Sequence, residues 1–274
     1  MLRSNNNCLR NRRGAIGHDY RIDMKNGSRA SKLAVAEVVL FGGAALAFAM
    51  IAGFFDRSPF HYYPAAEQGG GKTAVVFLSG DMGLRIGMGP AVISALNREG
   101  FPVVALSSPA AFGRTSDQVY ATGLLKTAID DALDRTGARR VVIVAQSFGA
   151  DVAASALRNL PAAAESKIVQ IVLIVPGKDI FFRADPTGIA YLGTPAEEAK
   201  TALNDVRIPI TCIYGVEEQD SPCPLLNESD ATVVALPGGQ FLDNDCNRLA
   251  STVAKAIGRD SAPVFAEQKP RSGN

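Results

Sequence analysis

Histidine, tryptophan and cysteine are scarce in this chain of 274 residues. It has two histidines, four cysteines and no tryptophan. No group of cysteines and histidines has the spacing of a zinc site, so we expect neither a metal centre nor a cofactor. Both histidines, His18 and His61, lie in the first quarter of the chain. Neither lies where a general base is expected for chemistry in the other three quarters, and His61 would have to fold back over that part of the chain to supply one.

Basic residues are unevenly distributed, although the formal net charge is only +1. Residues 1–32 contain eight Lys or Arg and two Asp. This segment has no hydrophobic periodicity, so we expect it to be disordered. It also lacks the interleaved aromatic residues and the fold motifs of nucleic-acid binding, so nucleic acid is not an expected partner.

An apolar segment over 33–55 follows the basic residues. Its last 18 residues, 38–55, carry no charge, and as a helix they would rise about 27 Å, close to the hydrocarbon thickness of a bilayer. The positive-inside rule then predicts a cytoplasmic N-terminus, a single-pass anchor in the inner membrane and a periplasmic C-terminal domain. A cleaved signal peptide is the alternative, because Ala47-Phe48-Ala49 resembles a cleavage site, but the basic preface is long for one.

The rest of the chain has the pattern of one α/β domain. Residues 56–72 are rich in proline and glycine and indicate a linker, and 259–274 form a polar tail that we expect to be disordered. Between them, 73–258 alternate continuously apolar strands with helices, which predicts a doubly wound, mostly parallel sheet covered on both faces. Ligands bind such sheets at the carboxyl ends of the strands. The long interruption at 177–207 is expected to be a cap or a substrate-side insertion.

A strand over Arg140–Ala145 runs through Ser147 directly into an alanine-rich helix. The small residues Ala145 and Gly149 flank the serine, as in a nucleophile elbow, where a tight turn exposes the hydroxyl. An ordinary helix N-cap serine is the alternative. For an oxyanion hole we expect the backbone N–H of Phe148 and, from the loop after the first strand, that of Met82.

The acid and base of a triad should follow two later strands. Glu218 and Asp220 follow the strand at 210–214 and are the acid candidates, with a solvated acidic loop as the alternative. The base should follow the last strand, at 232–236, but Gln240 stands there instead of a histidine. Glutamine can hydrogen-bond a serine, but it cannot take up its proton near neutral pH.

Two further groups of residues bear on this reading. Asp243 and Asp245 lie beside the vacant base position, but capping of the following helix is their expected role. Cys212, Cys223 and Cys246 would all face the periplasm, where one disulfide is expected and one thiol is left over. The sequence leaves all three pairings open.

Four motifs together resemble the VirJ/AcvB family of bacterial virulence-associated proteins. They are Ser-Gly-Asp at 79–81, Ser-Phe-Gly-Ala-Asp at 147–151, the Tyr-Gly to Cys-Pro segment at 214–224, and Pro-Gly-Gly at 237–239. The resemblance implies an α/β-hydrolase fold exported to the periplasm, with Ser147 as nucleophile. It also implies a link to type IV secretion and, for AcvB-type members, hydrolysis of aminoacylated phosphatidylglycerol, particularly the lysyl form.

The chain departs from the family pattern at three places. Family members usually continue Pro-Gly-Gly with His-His-Phe-Asp, where this chain has Gln240, Phe241, Leu242 and Asp243. Ala145-Gln146 stands where Gly-Tyr is common, and Met82 replaces a glycine.

Two hypotheses follow from the motifs and their departures. The first is a membrane-anchored periplasmic hydrolase acting on a lipid or small-molecule ester, in which Asp243, Asp245 or the substrate replaces the histidine. The second is a catalytically impaired protein of the same fold that binds lipid head groups or an envelope or secretion partner.

Overall fold

The computed structural model describes residues 24–66, 72–226 and 231–260, with side chains described within 33–258. The predictions for 1–23 and for 261–274 lie outside these residues. Of these described residues, 24–46 belong to one compact unit and those from Ala47 onward belong to a second.

A single long helix, α1 (Met24–Ala52), begins the described chain. Its part Leu33–Ala52 is long and apolar enough to cross a membrane, with a mean hydropathy of 2.2. The predicted span extended to residue 55, but the helix ends earlier because Gly53 adopts a φ of 96°, which is favourable only for glycine. The predicted disorder is wrong for 24–32, since α1 continues through this stretch once the apolar turns have nucleated it.

The second unit is built on one sheet of seven strands. The strands are β1 (Phe60–Tyr63), β2 (Thr73–Leu78), β3 (Val103–Leu106), β4 (Arg140–Gln146), β5 (Ile168–Ile174), β8 (Ile210–Gly215) and β9 (Ala231–Leu236). Their order in the sheet is β1-β3-β2-β4-β5-β8-β9. All neighbours are parallel except β1, which is antiparallel to β3. The predicted doubly wound, mostly parallel sheet is confirmed.

Strand β1 corrects the predicted linker at 56–72. Its four residues pair with β3, placing His61 opposite Ala105. The run Phe-His-Tyr-Tyr has high strand propensity, and it closes an edge of β3 that would otherwise expose unpaired backbone groups.

Helices cover both faces of the sheet. The described helices after α1 are α2 (Gly89–Arg98), α3 (Ser108–Phe112), α4 (Gln118–Thr136), α5 (Phe148–Arg158), α6 (Ala162–Glu165), α7 (Ala199–Asn204) and α8 (Cys246–Asp260). The apolar sides of α4 and α5 pack on one face, and those of α2 and α8 pack on the other. One detail differs from the sequence pattern: α8 includes residues 259–260 of the expected tail.

The segment 177–207 is an insertion on the ligand side of the sheet, as the sequence predicts. It contains a two-stranded antiparallel sheet of β6 (Asp179–Ile180) and β7 (Glu197–Glu198), and a short 3-10 helix at Ile189–Leu192. Glu197 ties the insertion to α5, because its carboxylate accepts a hydrogen bond from Ser155 and pairs with Arg158 at 3.1 Å.

Candidate functional site

Ser147 sits in a strained turn between β4 and α5. Its backbone has φ 50° and ψ −128°, a conformation that costs a non-glycine residue about 1–3 kcal/mol. A Cβ added at Gly149 would lie 2.4 Å from the Ser79 carbonyl oxygen, so only glycine lets α5 approach β2 so closely. Strand, strained serine and close helix together form a nucleophile elbow.

Gln240 occupies the position of the missing base. Its Nε2 donates a hydrogen bond of 3.1 Å to Ser147 Oγ, so the contact that the sequence predicts is present. The amide donates to the hydroxyl, whereas a base would have to accept its proton. The contact therefore orients Ser147 without activating it.

Two other candidates, His61 and Asp245, do not replace a histidine, whereas the role of Asp243 stays a prediction. His61 lies in β1, with its Nε2 3.5 Å from an Asp56 carboxylate oxygen, and it is not among the residues that line the pocket. Asp245 Oδ1 accepts the N–H of Arg248 at 2.9 Å, so its predicted role as a helix cap is confirmed.

The oxyanion loop approaches the nucleophile closely. A Cβ at Gly80 would be 3.4 Å from Ser147 Cβ, and Met82 and Phe148 both line the pocket. Phe148 opens α5, where the first N–H groups of a helix have no intrahelical partner. Burial raises the pKa of the Asp81 carboxyl, and the Met82 N–H, which faces that carboxylate, opposes part of the rise. The roles of Met82 and Phe148 as oxyanion donors stay predictions, and Met82 would first have to turn away from Asp81.

The acid candidates lie in a loop that a disulfide fixes. Cys212 in β8 is bonded to Cys223, which selects one of the three possible pairings and leaves Cys246 free. Asp220 lines the pocket, and burial raises the pKa of Glu218. Neither carboxylate has a histidine to orient, so their triad roles also stay predictions.

The pocket also contains a carboxylate cluster of Asp81, Asp151 and Asp185 beside the serine. No role was assigned to this cluster from the sequence. Tyr191 in the insertion donates a hydrogen bond of 3.1 Å to Asp81 Oδ2 and accepts the N–H of Asp185 at 3.1 Å. Burial, and the carboxylate of Asp81 close by, raise the pKa of the Tyr191 phenol. The Tyr191 ring stacks on Phe148, with centroids 6.4 Å apart, so the insertion forms one wall of the site.

Asp151 lies one helical turn after Ser147 and also lines the pocket. Desolvation raises the pKa of its carboxyl to about 8, against the opposing effect of the Gly177 N–H, which donates at 2.7 Å. The nearby carboxylates of Asp81, Asp179 and Glu218 raise the pKa further. Its spacing of four residues from the nucleophile was the signal in the sequence that could have identified it, since residues i and i+4 share a helix face.

The pocket around Ser147 has a volume of about 530 Å³, within the usual size of a small-molecule site. One lysine and five aspartates are among the described residues that line it: Lys178 and Asp81, Asp151, Asp179, Asp185 and Asp220. The site is therefore strongly acidic. Within the described ranges, no group of three or more His, Cys, Asp or Glu side chains is arranged to hold a metal ion.

Comparisons with known proteins agree with this geometry. The family model described as bacterial virulence protein (VirJ) matches residues 72–261. Est1E from Butyrivibrio proteoclasticus is similar at a TM-score of 0.53 and 12% identity, covering 73% of this chain and 93% of its own. A lipase-esterase related protein from Clostridium acetobutylicum is similar at 0.54 and 12%, covering 74% and 100%.

MenH from S. aureus is similar at a TM-score of 0.53 and 13% identity, covering 74% of this chain and 99% of its own. These likenesses show the α/β-hydrolase fold and nothing about the substrate. No curated protein matches the chain by sequence.

Proposed function

The chain belongs to the VirJ family of bacterial virulence proteins, and we propose that it is a membrane-anchored, periplasmic hydrolase-like protein whose pocket binds an ester with a cationic acyl group. The apolar helix Leu33–Ala52 would be its anchor in the inner membrane. The basic residues before that helix favour a periplasmic domain. The strained elbow at Ser147 is the observation that carries the proposal.

The elbow supports acyl transfer because it exposes a hydroxyl at the carboxyl edge of the sheet. In such a reaction Ser147 Oγ attacks the ester carbonyl, the alcohol leaves, and water releases the acyl group. The Ser147 N–H is held by the Ile174 carbonyl at 2.8 Å, so the nucleophile is fixed to the sheet. Rigid placement of this kind is what nucleophilic catalysis requires.

The acidic lining supports a cationic ligand. Asp151 and Asp81 are desolvated carboxyl groups with raised pKa values, and an ammonium group beside them would favour their charged forms. A lysyl ester of phosphatidylglycerol, which the family resemblance suggests, would bring an ε-ammonium to these aspartates. Binding should then strengthen as the pH rises toward 8, where Asp151 ionises.

The proton of Ser147 needs a destination other than Gln240. Asp245 caps α8 and is therefore a poor substitute for the histidine. An aminoacyl ester carries its own α-amine, whose pKa of about 8 leaves part of it neutral near pH 7. We propose that this substrate amine accepts the proton and passes it to the oxygen of the leaving alcohol, so that the lysyl ester supplies both the base and the charge recognised by the pocket.

A non-catalytic binding protein is the second candidate, and the Gln240 contact favours it. An amide that donates to Ser147 Oγ leaves the hydroxyl as an acceptor rather than a nucleophile. Such a protein would hold the same cationic lipid head group through Asp151 and Asp81 without cleaving it.

The test uses full-length protein in nanodiscs of phosphatidylcholine containing lysyl-phosphatidylglycerol. Free lysine is measured over time for wild type, Ser147→Ala and Asp151→Asn, with Asp130→Asn on the exposed side of α4 as the matched control. Release that disappears in Ser147→Ala and falls in Asp151→Asn supports the hydrolase.

Two other outcomes are informative. Lipid binding without lysine release, lost in Asp151→Asn and kept in Ser147→Ala, supports the binding protein. Neither binding nor release would contradict both candidates for this lipid class.

A further inference from the structure

Exposed apolar side chains border the pocket, and one loop of the same pocket contacts the end of α1. We propose that this border, the apolar rim of Ile189, Leu192 and Phe241, lies in the surface of the phospholipid bilayer. A lipid substrate would then reach Ser147 without leaving the membrane. The inference rests on the proposed membrane anchoring and goes beyond it, because an anchor alone does not orient the domain.

The first step is the attachment of a pocket wall to the end of the span. Gly83 and Met82 line the pocket, and a Cβ added at Gly83 would lie 1.9 Å from the Ala52 carbonyl oxygen. Ala52, the last residue of the apolar helix, is only 1% exposed. The oxyanion loop is therefore in direct contact with the point where the chain would leave the bilayer.

Arg85 strengthens this attachment. Its guanidinium donates to the Ile51 carbonyl at 3.3 Å and pairs with the Asp56 carboxylate at 2.9 Å. One side chain thus joins the last turn of α1, the residues that follow it and the pocket loop. A basic side chain near the end of a helix also compensates its free carbonyl groups.

Charge around the same point fits lipid head groups. Arg57 is five residues after Ala52, and Arg114 is next to Gly113, where an added Cβ would be 3.1 Å from the Phe54 ring. Both arginines are exposed, and neither has an ion-pair partner in the part of the chain that the structure describes. Cations at this depth attract anionic lipids and reach the phosphates.

The apolar rim completes the surface. Ile189 is 70% exposed, Leu192 is 86% exposed and Phe241 is 55% exposed. Ile189 and Leu192 are three residues apart on a 3-10 helix, so they lie on the same side. Their neighbours Gly188 and Tyr191 line the pocket, as Phe241 itself does.

A bilayer is the occupant that these contacts favour over a protein partner. The pocket loop touches the end of the chain's own span, so a bilayer around that span would lie close to the pocket. Apolar residues next to basic ones are also the usual composition of an interfacial surface.

The absence of tryptophan from the chain makes a direct test possible. Single-tryptophan variants Ile189→Trp and Leu192→Trp of the full-length protein are placed in nanodiscs of phosphatidylcholine and phosphatidylglycerol. Quenching by brominated lipid is compared with that in unbrominated nanodiscs. Phe48→Trp in the span reports on anchoring. Ala163→Trp is the matched surface control, because it precedes β5 and lies about 20 Å from the pocket edge of the sheet.

Quenching of Ile189→Trp and Leu192→Trp, but not of Ala163→Trp, is the expected result. Quenching of Phe48→Trp without either rim variant would overturn the inference and leave the anchoring intact. If Phe48→Trp is not quenched either, the proposed anchoring fails as well. Shielding of the rim tryptophans from aqueous quenchers without lipid quenching would also overturn it, in favour of a contact between two copies of the chain.

A functional measurement supports the same test. The double variant Ile189→Ser with Leu192→Ser removes apolar side chains whose burial should favour the docked state about tenfold or more. Uptake or hydrolysis of a bilayer-embedded ester should therefore fall about tenfold, whereas that of a water-soluble short-chain ester should not change. An equal loss with both esters would show instead that the insertion had unfolded.

Discussion

The substitution Gln240→His asks whether one missing base separates this site from an active serine hydrolase. Gln240 Nε2 lies 3.1 Å from Ser147 Oγ, so an imidazole at this position can reach the same atom. In serine proteases, loss of the triad histidine costs about 10⁶ in kcat, and loss of the acid that orients it costs about 10⁴. Among the described residues no carboxylate hydrogen-bonds to Gln240, although Asp220 lines the same pocket.

The expected gain follows from these magnitudes. An imidazole without an orienting acid should recover about 10² of the lost 10⁶, and recruitment of Asp220 would raise the gain toward the full value. The rate should rise with pH through about 6.5, as the imidazole loses its proton.

The assay is hydrolysis of p-nitrophenyl acetate by the full-length protein, together with fluorophosphonate labelling. Wild type, Gln240→His, Gln240→Asn and the double variant Ser147→Ala with Gln240→His are compared. Activity that persists in the double variant would refute the role of Ser147. A folded Gln240→His protein that is no faster than wild type would refute the reasoning that the base alone is missing.

Three further predictions concern the elbow, the disulfide and Asp151. Gly149→Ala should lower the free energy of unfolding by about 1–3 kcal/mol through overpacking. Gly123→Ala is the control, because nothing lies within 4 Å of the added Cβ, and it should stabilise α4 by about 0.5–1 kcal/mol. Equal urea midpoints for Gly149→Ala and Gly123→Ala would contradict the prediction. Replacing Cys212 and Cys223 by serine opens a loop of 11 residues and should lower the free energy of unfolding in urea by about 3 kcal/mol relative to wild type. This difference should be present under oxidising conditions, and a difference that is present only under reducing conditions would contradict the prediction. Because the pKa of Asp151 is raised to about 8 on folding, the folded state binds the extra proton, so the free energy of unfolding should fall as pH rises from about 4 to 8. Asp151→Asn should flatten this pH dependence. An unchanged slope in the variant would show that Asp151 titrates normally.

The elbow and its partner could be predicted from the sequence because they depend on local pattern and chain order. Strand, small residue, Ser147, small residue and helix are consecutive, and Gln240 follows the last strand as a base should. Both positions lie at the carboxyl edge of a parallel sheet, which brings residues from distant segments together. The hydrogen bond from Gln240 to Ser147 is the result.

The carboxylate cluster could not be predicted, because it depends on contacts that no local pattern encodes. The Gly177 N–H reaches Asp151 across 26 residues, and Tyr191 reaches Asp81 across 110. The insertion that carries Gly177 and Tyr191 has little regular structure, so neither period nor propensity indicated where it would fold. The raised pKa of Asp151 is a product of this packing and not of the residue type.

Two strained residues at the pocket bear on the choice between a hydrolase and a binding protein. Ser147 has a φ of 50°, and Val175, a β-branched residue, has a φ of 44°; such conformations cost about 1–3 kcal/mol each. The sheet imposes both, since the Ser147 N–H donates to Ile174 and the Val175 N–H donates to Ile213. A site that bound its ligand through carboxylates alone would need neither the strain nor an exposed hydroxyl. The strain therefore favours the hydrolase, in which the Ser147 hydroxyl itself contacts the ligand, over a protein that binds through carboxylates alone.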